Sequence, residues 1–64
     1  MADYTQPVRD ILDKNEWSFH RHGKGSHDIW IKHATGETVS VSKNIKSKFT
    51  ANGILKKAGI NHKF

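Results

Sequence analysis

Apolar residues recur along the chain with spacings that change from segment to segment. Val8, Ile11 and Leu12 stand at i, i+3 and i+4, with Arg9, Asp10 and Asp13 outside the stripe, the period of an amphipathic helix. Thr5 can cap the start, Pro7 suits a first turn and Asn15 suits a left-handed stop, so a first helix is expected over residues 6–14. From Trp17 the period drops to two. Trp17, Phe19 and Arg21 point one way, and Ser18, His20 and His22 the other. "GKG" at 23–25 interrupts this strand, and "HDIWIKH" then sets His27, Ile29, Ile31 and His33 against Asp28, Trp30 and Lys32. "ATGE" at 34–37 reads as a hairpin turn before a third strand, "TVSVS", with Val39 and Val41 on one side. Residues 43–49, "KNIKSKF", have no clean period and read as a basic loop. Thr50 is a second candidate cap, ahead of a stripe of Ala51, Ile54, Leu55 and Ala58 that stops at Gly59. Gly53 weakens the first turn of that helix. Ile60 is expected to fold back on the core, and "NHKF" to fray.

The predicted order is α-β-β-β-α, an α+β fold with a three-stranded antiparallel sheet and two helices on one face. The helices are expected to cover Trp17, Phe19, Ile29, Ile31, Val39 and Val41, leaving Ser18, His20, Asp28, Trp30, Lys32 and Ser40 open. Trp30 would then stand among polar residues, either lying over its strand neighbours or touching a partner or a second copy. A chain of 64 residues is expected to form one domain, residues 1–64, that buries roughly 60% of its unfolded surface.

Without cysteine, neither a disulfide nor a thiolate zinc site can staple the fold. No apolar stretch approaches the ~20 residues of a membrane span and "MADYTQPV" lacks a signal pattern, so a cytoplasmic protein without membrane association is expected. The net charge of +5 is unevenly spread. Residues 1–16 set Asp3, Asp10, Asp13 and Glu16 against Arg9 and Lys14, a balance of −2, which leaves +7 for residues 17–64. From Thr38 onward there are six lysines and no acid. A basic later half points to a polyanionic partner such as nucleic acid, although a solvated lysine-rich surface has the same composition.

Four features could carry chemistry or bind a ligand. His27 starts its strand beside the glycine loop, where a partly exposed imidazole can reach a ligand and act on it as an acid or base. Gly23 and Gly25 allow close approach of backbone to a phosphate, with Lys24 adding charge, but the spacing of a nucleotide-binding P-loop is absent. His20 and His22 could together hold a transition metal, yet zinc takes three or four ligands, so no metal is expected. Lys43, Lys46 and Lys48 stand at the entrance to the second helix, placed either to meet phosphate or to solubilise a loop.

The run "KGSHDIW" at 24–30, the strand "TVSV" at 38–41 and the closing "ILKKAGI" at 54–60 resemble the HicA (YcfA-like) toxin family over Thr5 to Ile60. The resemblance implies an α-β-β-β-α fold like a double-stranded-RNA-binding domain. It also implies an mRNA endoribonuclease of a toxin–antitoxin system, silenced by a HicB-like antitoxin. The family's catalytic histidine maps onto His27, with Lys24, Gly25 and Ser26 as its loop, while Lys24, Lys43, Lys46 and Lys48 are the expected RNA contacts. Such chemistry needs no metal or cofactor, because RNA carries its own nucleophile in the 2′-hydroxyl. The alternative is a non-catalytic RNA-binding module of the same topology.

Overall fold

The computed structural model describes residues 3–64. It contains α1 (Thr5–Lys14), β1 (Trp17–His22), β2 (His27–Lys32), β3 (Glu37–Ser42) and α2 (Lys48–Lys57), with the strands in the antiparallel order β1-β2-β3. The architecture is the expected α+β arrangement. Val8 and Leu12 of α1 and Ala51, Ile54 and Leu55 of α2 meet Trp17, Trp30, Val39 and Val41 in one buried cluster, so both helices share one face of the sheet.

The covered face of β2 is the reverse of the expected one. Trp30 lies opposite Phe19 and Val39, and Asp28 lies opposite Val41, with both β2 residues buried. Ile29 and Ile31 are half-buried on the other face with His27. Trp30 is 8% exposed, which rules it out as a surface contact for a partner. The cause is packing: an indole fills the space beneath two helices better than an isoleucine does, and alternation carries Asp28 inward with it. A bulge between Phe19 and Arg21 shifts the register of β1 and turns His22 to face Asp28. His20 and His22 consequently lie on opposite faces, contrary to simple alternation. Phe19 is 48% exposed and Phe49 78%, so neither is the core residue its hydrophobicity suggests.

The segment before α2 is anchored by one residue. Ile45 is fully buried, its N–H donates to Thr5 Oγ1 at 3.0 Å, and its carbonyl accepts from the Tyr4 N–H at 2.8 Å. Thr5 is thus occupied as an acceptor for Ile45, and it is the Asp3 carboxylate that receives the Thr5 N–H at 3.0 Å. Likewise the cap of α2 is Ser47, whose hydroxyl accepts from the Phe49 N–H at 3.2 Å, two residues before the end of the expected loop. At its far end α2 closes with paired bonds from Gly59 N–H to the Lys56 carbonyl and from Ile60 N–H to the Leu55 carbonyl. The last residues dock. Phe64 donates its N–H to Asn52 Oδ1 at 2.8 Å and sets its ring 5.0 Å from that of Tyr4.

Asn15 ends α1 with its side-chain amide on the Ile11 carbonyl, and the left-handed residue is Glu16, at φ 69°. A side chain is strained there, so Glu16→Gly is expected to raise stability by about 0.5–1 kcal/mol in denaturant unfolding. A loss of stability would show that the turn does not hold this conformation.

Asp3 supplies a pH signature. The Thr5 N–H, then the Thr5 hydroxyl, then Lys46 hold its carboxyl down from 3.8 to about 2. Its contribution is therefore present above pH 3.8 and lost as pH falls through about 2. The Thr5 amide resonance is expected to titrate with a midpoint near 2, and a midpoint near 3.8 would show a carboxylate free in solvent.

Candidate functional site

The loop before β2 is built to present residue 27. Gly23 N–H donates to the His27 carbonyl at 2.9 Å, and His27 N–H donates to the Lys24 carbonyl at 3.2 Å. A Cβ at Gly23 would come within 3.1 Å of the His27 carbonyl oxygen, so a side chain there would require the backbone of the hairpin to give by a few tenths of an ångström. Gly25 takes φ 59°, the left-handed geometry that lets the chain reverse in so few residues. Ser26 is tied to the exit of β3 through Lys43 N–H, which donates to its carbonyl at 2.7 Å. Both ends of the loop are fixed by backbone bonds while the side chains of Lys24, Ser26 and His27 are exposed.

His27 lines a groove of about 310 Å³ with Ser40 and Ser42 of β3 and Thr50, Gly53, Ile54 and Lys57 of α2. Ser42 is its cross-strand partner. The groove brings together an imidazole, an ammonium and three hydroxyls, and none of the residues lining it is acidic. Its position differs from the expected one. His27 shares the face of Ile29 and Ile31, as alternation requires, but this face is turned away from the helical core, and α2 reaches it along the edge of β3.

The four lysines expected to meet RNA do not gather around His27. Lys24 stands exposed on its loop. Lys43 turns to the other side of the sheet, with Nζ 3.8 Å from Asp28. Lys46 pairs with Asp3 at 3.3 Å in an exposed bridge, and Lys48 lies 5.6 Å from the centroid of the Phe49 ring. Exposed pairs of this kind are weak and leave a lysine free to exchange its partner for a phosphate.

The residue with the densest set of charged partners is Asp28. Its buried carboxylate accepts from Arg9 at 3.2 Å and meets His22 Nδ1 at 3.0 Å, with Lys43 as a third neighbour. These groups line an open cleft of about 620 Å³ beside Phe19 and Trp30, on the face of the sheet opposite His27. The sequence does not reveal Asp28 because an acid one residue into a strand reads as solvent-facing. Nor does it mark Thr50 and Lys57 as groove residues, although Thr50, Gly53, Ile54 and Lys57 follow the i, i+3, i+4, i+7 spacing of one helix face. That spacing was the available signal; what the helix faces is set by tertiary packing.

Fold and groove together define a class: a small α-β-β-β-α protein that offers a histidine, a lysine and hydroxyls to a ligand, with no acid among the groove residues. A family model described as HicA toxin of bacterial toxin-antitoxin matches residues 7–60, and the chain belongs to this family. It is therefore the toxin of a toxin–antitoxin pair, with an antitoxin as its partner. No curated protein and no solved structure matches the chain. Among the described residues no helix is long and apolar enough to cross a membrane.

Removing the Asp28 carboxylate leaves Arg9 and Lys43 facing one another without an anion between them. Asp28→Ala is expected to destabilise the fold by about 2–3 kcal/mol, less than for a fully buried pair because both cations keep some contact with water. His22, with 75% of its side chain exposed, should cost under about 1 kcal/mol when changed to alanine. Equal losses for the two variants in denaturant unfolding would show that the carboxylate does not hold the cluster.

Proposed function

We propose that the chain is an mRNA endoribonuclease in which His27 is the general acid or base, silenced in the cytoplasm by a HicB-like antitoxin. The reading is carried by one observation: the histidine that the family resemblance marks lies exposed in a groove with a cation, hydroxyls and no acidic residue. RNA brings the nucleophile. As base, His27 takes the proton of a 2′-hydroxyl, whose oxygen attacks the adjacent phosphorus, and water protonates the departing 5′-oxygen; as acid, His27 gives the 5′-oxygen its proton and water takes the 2′-proton. The bond from phosphorus to the 5′-oxygen breaks, leaving a 2′,3′-cyclic phosphate and a 5′-hydroxyl. Charge gathers on the non-bridging oxygens in the transition state, and a site without carboxylates leaves it unopposed. Gly25 and Ser26 hold the loop, Lys24, Lys46 and Lys48 bind phosphates along the strand, and Lys43, its Nζ turned to Asp28, steadies the loop through its main-chain N–H.

His27→Ala removes acid–base catalysis and little else, since the ring is exposed. Cleavage is expected to fall by ~10²–10⁴-fold with the melting temperature unchanged. A variant that cuts RNA at the parent rate would overturn this mechanism. A parent protein that binds RNA tightly and never cuts it would identify a binding module instead.

With about three phosphate contacts, RNA affinity is expected to fall roughly 20-fold between ~50 and ~200 mM salt. Lys24→Glu with Lys48→Glu should weaken binding to all sequences alike. Binding indifferent to salt would show that the lysines do not hold the backbone.

A further inference from the structure

We propose that Lys57 is the residue that contacts the scissile phosphate, and that Gly53, one turn before it on α2, is the notch that admits the sugar-phosphate backbone to the groove; the inference rests on the ribonuclease reading above.

Gly53 has no structural reason to be glycine. It lies inside α2, where glycine is the least favourable residue apart from proline. A Cβ built on it meets nothing within 4 Å, so no close packing excludes a side chain. It is not among the residues with positive φ. Gly53 lies on the ridge between the cleft that Lys56 lines and the groove, and it lines the groove on the strip formed by Thr50, Gly53, Ile54 and Lys57. Ile54 is buried and forms the base of this strip, and Thr50 and Lys57 stand at its two ends. Between them the helix surface is bare. Across the groove the wall is made of Ser40 and Ser42, which are short and carry hydroxyls. A polymer backbone can therefore lie against α2 at Gly53, with His27 on one side and Lys57 one helical turn along.

Charge selects Lys57 from the lysines of the chain. Lys24, Lys43, Lys46 and Lys48 do not line this groove, and neither does its neighbour Lys56, which lines a separate cleft near the C-terminus. Lys57 is thus the one full cation among the described residues that line the groove with His27. Phosphoryl chemistry without such a cation would leave the charge of the transition state to backbone and hydroxyl dipoles.

The test uses the whole protein and a labelled, mixed-sequence single-stranded RNA, with cleavage, affinity, salt dependence and melting temperature measured for each variant. Lys57→Met is expected to lower kcat about 10²-fold and to flatten the salt slope of binding by about 0.7, with the melting temperature unchanged. Lys57→Arg keeps the charge and should restore most of the rate. Lys56→Ala should behave as the parent. Gly53→Ala is expected to raise the melting temperature by about 4–8 °C, through helix propensity alone, while raising KM at least several-fold. Lys57→Met with parent kcat and parent salt slope overturns the phosphate contact. Gly53→Ala that is more stable and cuts with parent KM overturns the notch. His27→Ala is run beside them. If it cuts normally, the ribonuclease mechanism fails, and the salt slope and affinity of the Lys57 and Gly53 variants still decide whether the groove holds RNA. If His27→Ala is inactive and both α2 variants are as the parent, only the present inference fails.

Discussion

Strand β2 carries its largest side chain, Trp30, between Ile29 and Ile31, and a strand cannot turn both sets toward the same core. Burying the indole settles the conflict. Asp28, two residues earlier, must then enter the interior with it, and His27 must leave. A carboxylate taken out of water has to be compensated, which explains why Arg9, His22 and Lys43 converge on it from three other segments. The bulge in β1 serves the same end, since without it His22 would face away. The face that carries His27 and the charge-stabilised face thus have one origin, the side of the sheet on which Trp30 lies.

This arrangement separates two jobs that a small protein could easily mix. Arg9, His22 and Lys43 surround an anion of the chain's own making and hold α1, the end of β1 and the exit of β3 around the start of β2. His27 is one residue away along the chain but on the other face, where the surroundings are hydroxyls and Lys57. The cation nearest Asp28 on the β3 side, Lys43, also fixes the loop of His27 by donating its backbone N–H to Ser26. The same residue therefore reaches one face through its side chain and steadies the other through its main chain.

Much of the fold was legible because its signals are local. The stripe of Val8, Ile11 and Leu12, the break at residues 23–25 and the stop at Gly59 each depend on a few neighbouring residues, and each recurs in the structure. The covered face of β2 was not legible, because two isoleucines on one side and a tryptophan with an aspartate on the other give comparable patterns. Deciding between them requires knowing which partners wait inside, and Arg9 and Lys43 lie 19 residues before and 15 after Asp28. Ile45 was hidden for a similar reason: a single apolar residue among lysines has no period to reveal it. At the site, the position of His27 at a loop's end was readable from the glycines, and its neighbours on α2 were readable as a helix face. That the two meet across the edge of β3 is a fact of tertiary structure alone.

The bond from Ile45 N–H to Thr5 Oγ1 spans 40 residues, and its reciprocal, from Tyr4 N–H to the Ile45 carbonyl, closes the same loop. Bringing those ends together costs chain entropy that no local contact repays. During folding, the hairpins of the sheet can form from neighbouring segments, but the start of α1 and the approach to α2 can only be completed together, after β3 has delivered Ile45. The groove has α2 as one wall. The groove that holds His27 is therefore assembled late in folding, because one of its walls waits for α2 to be seated.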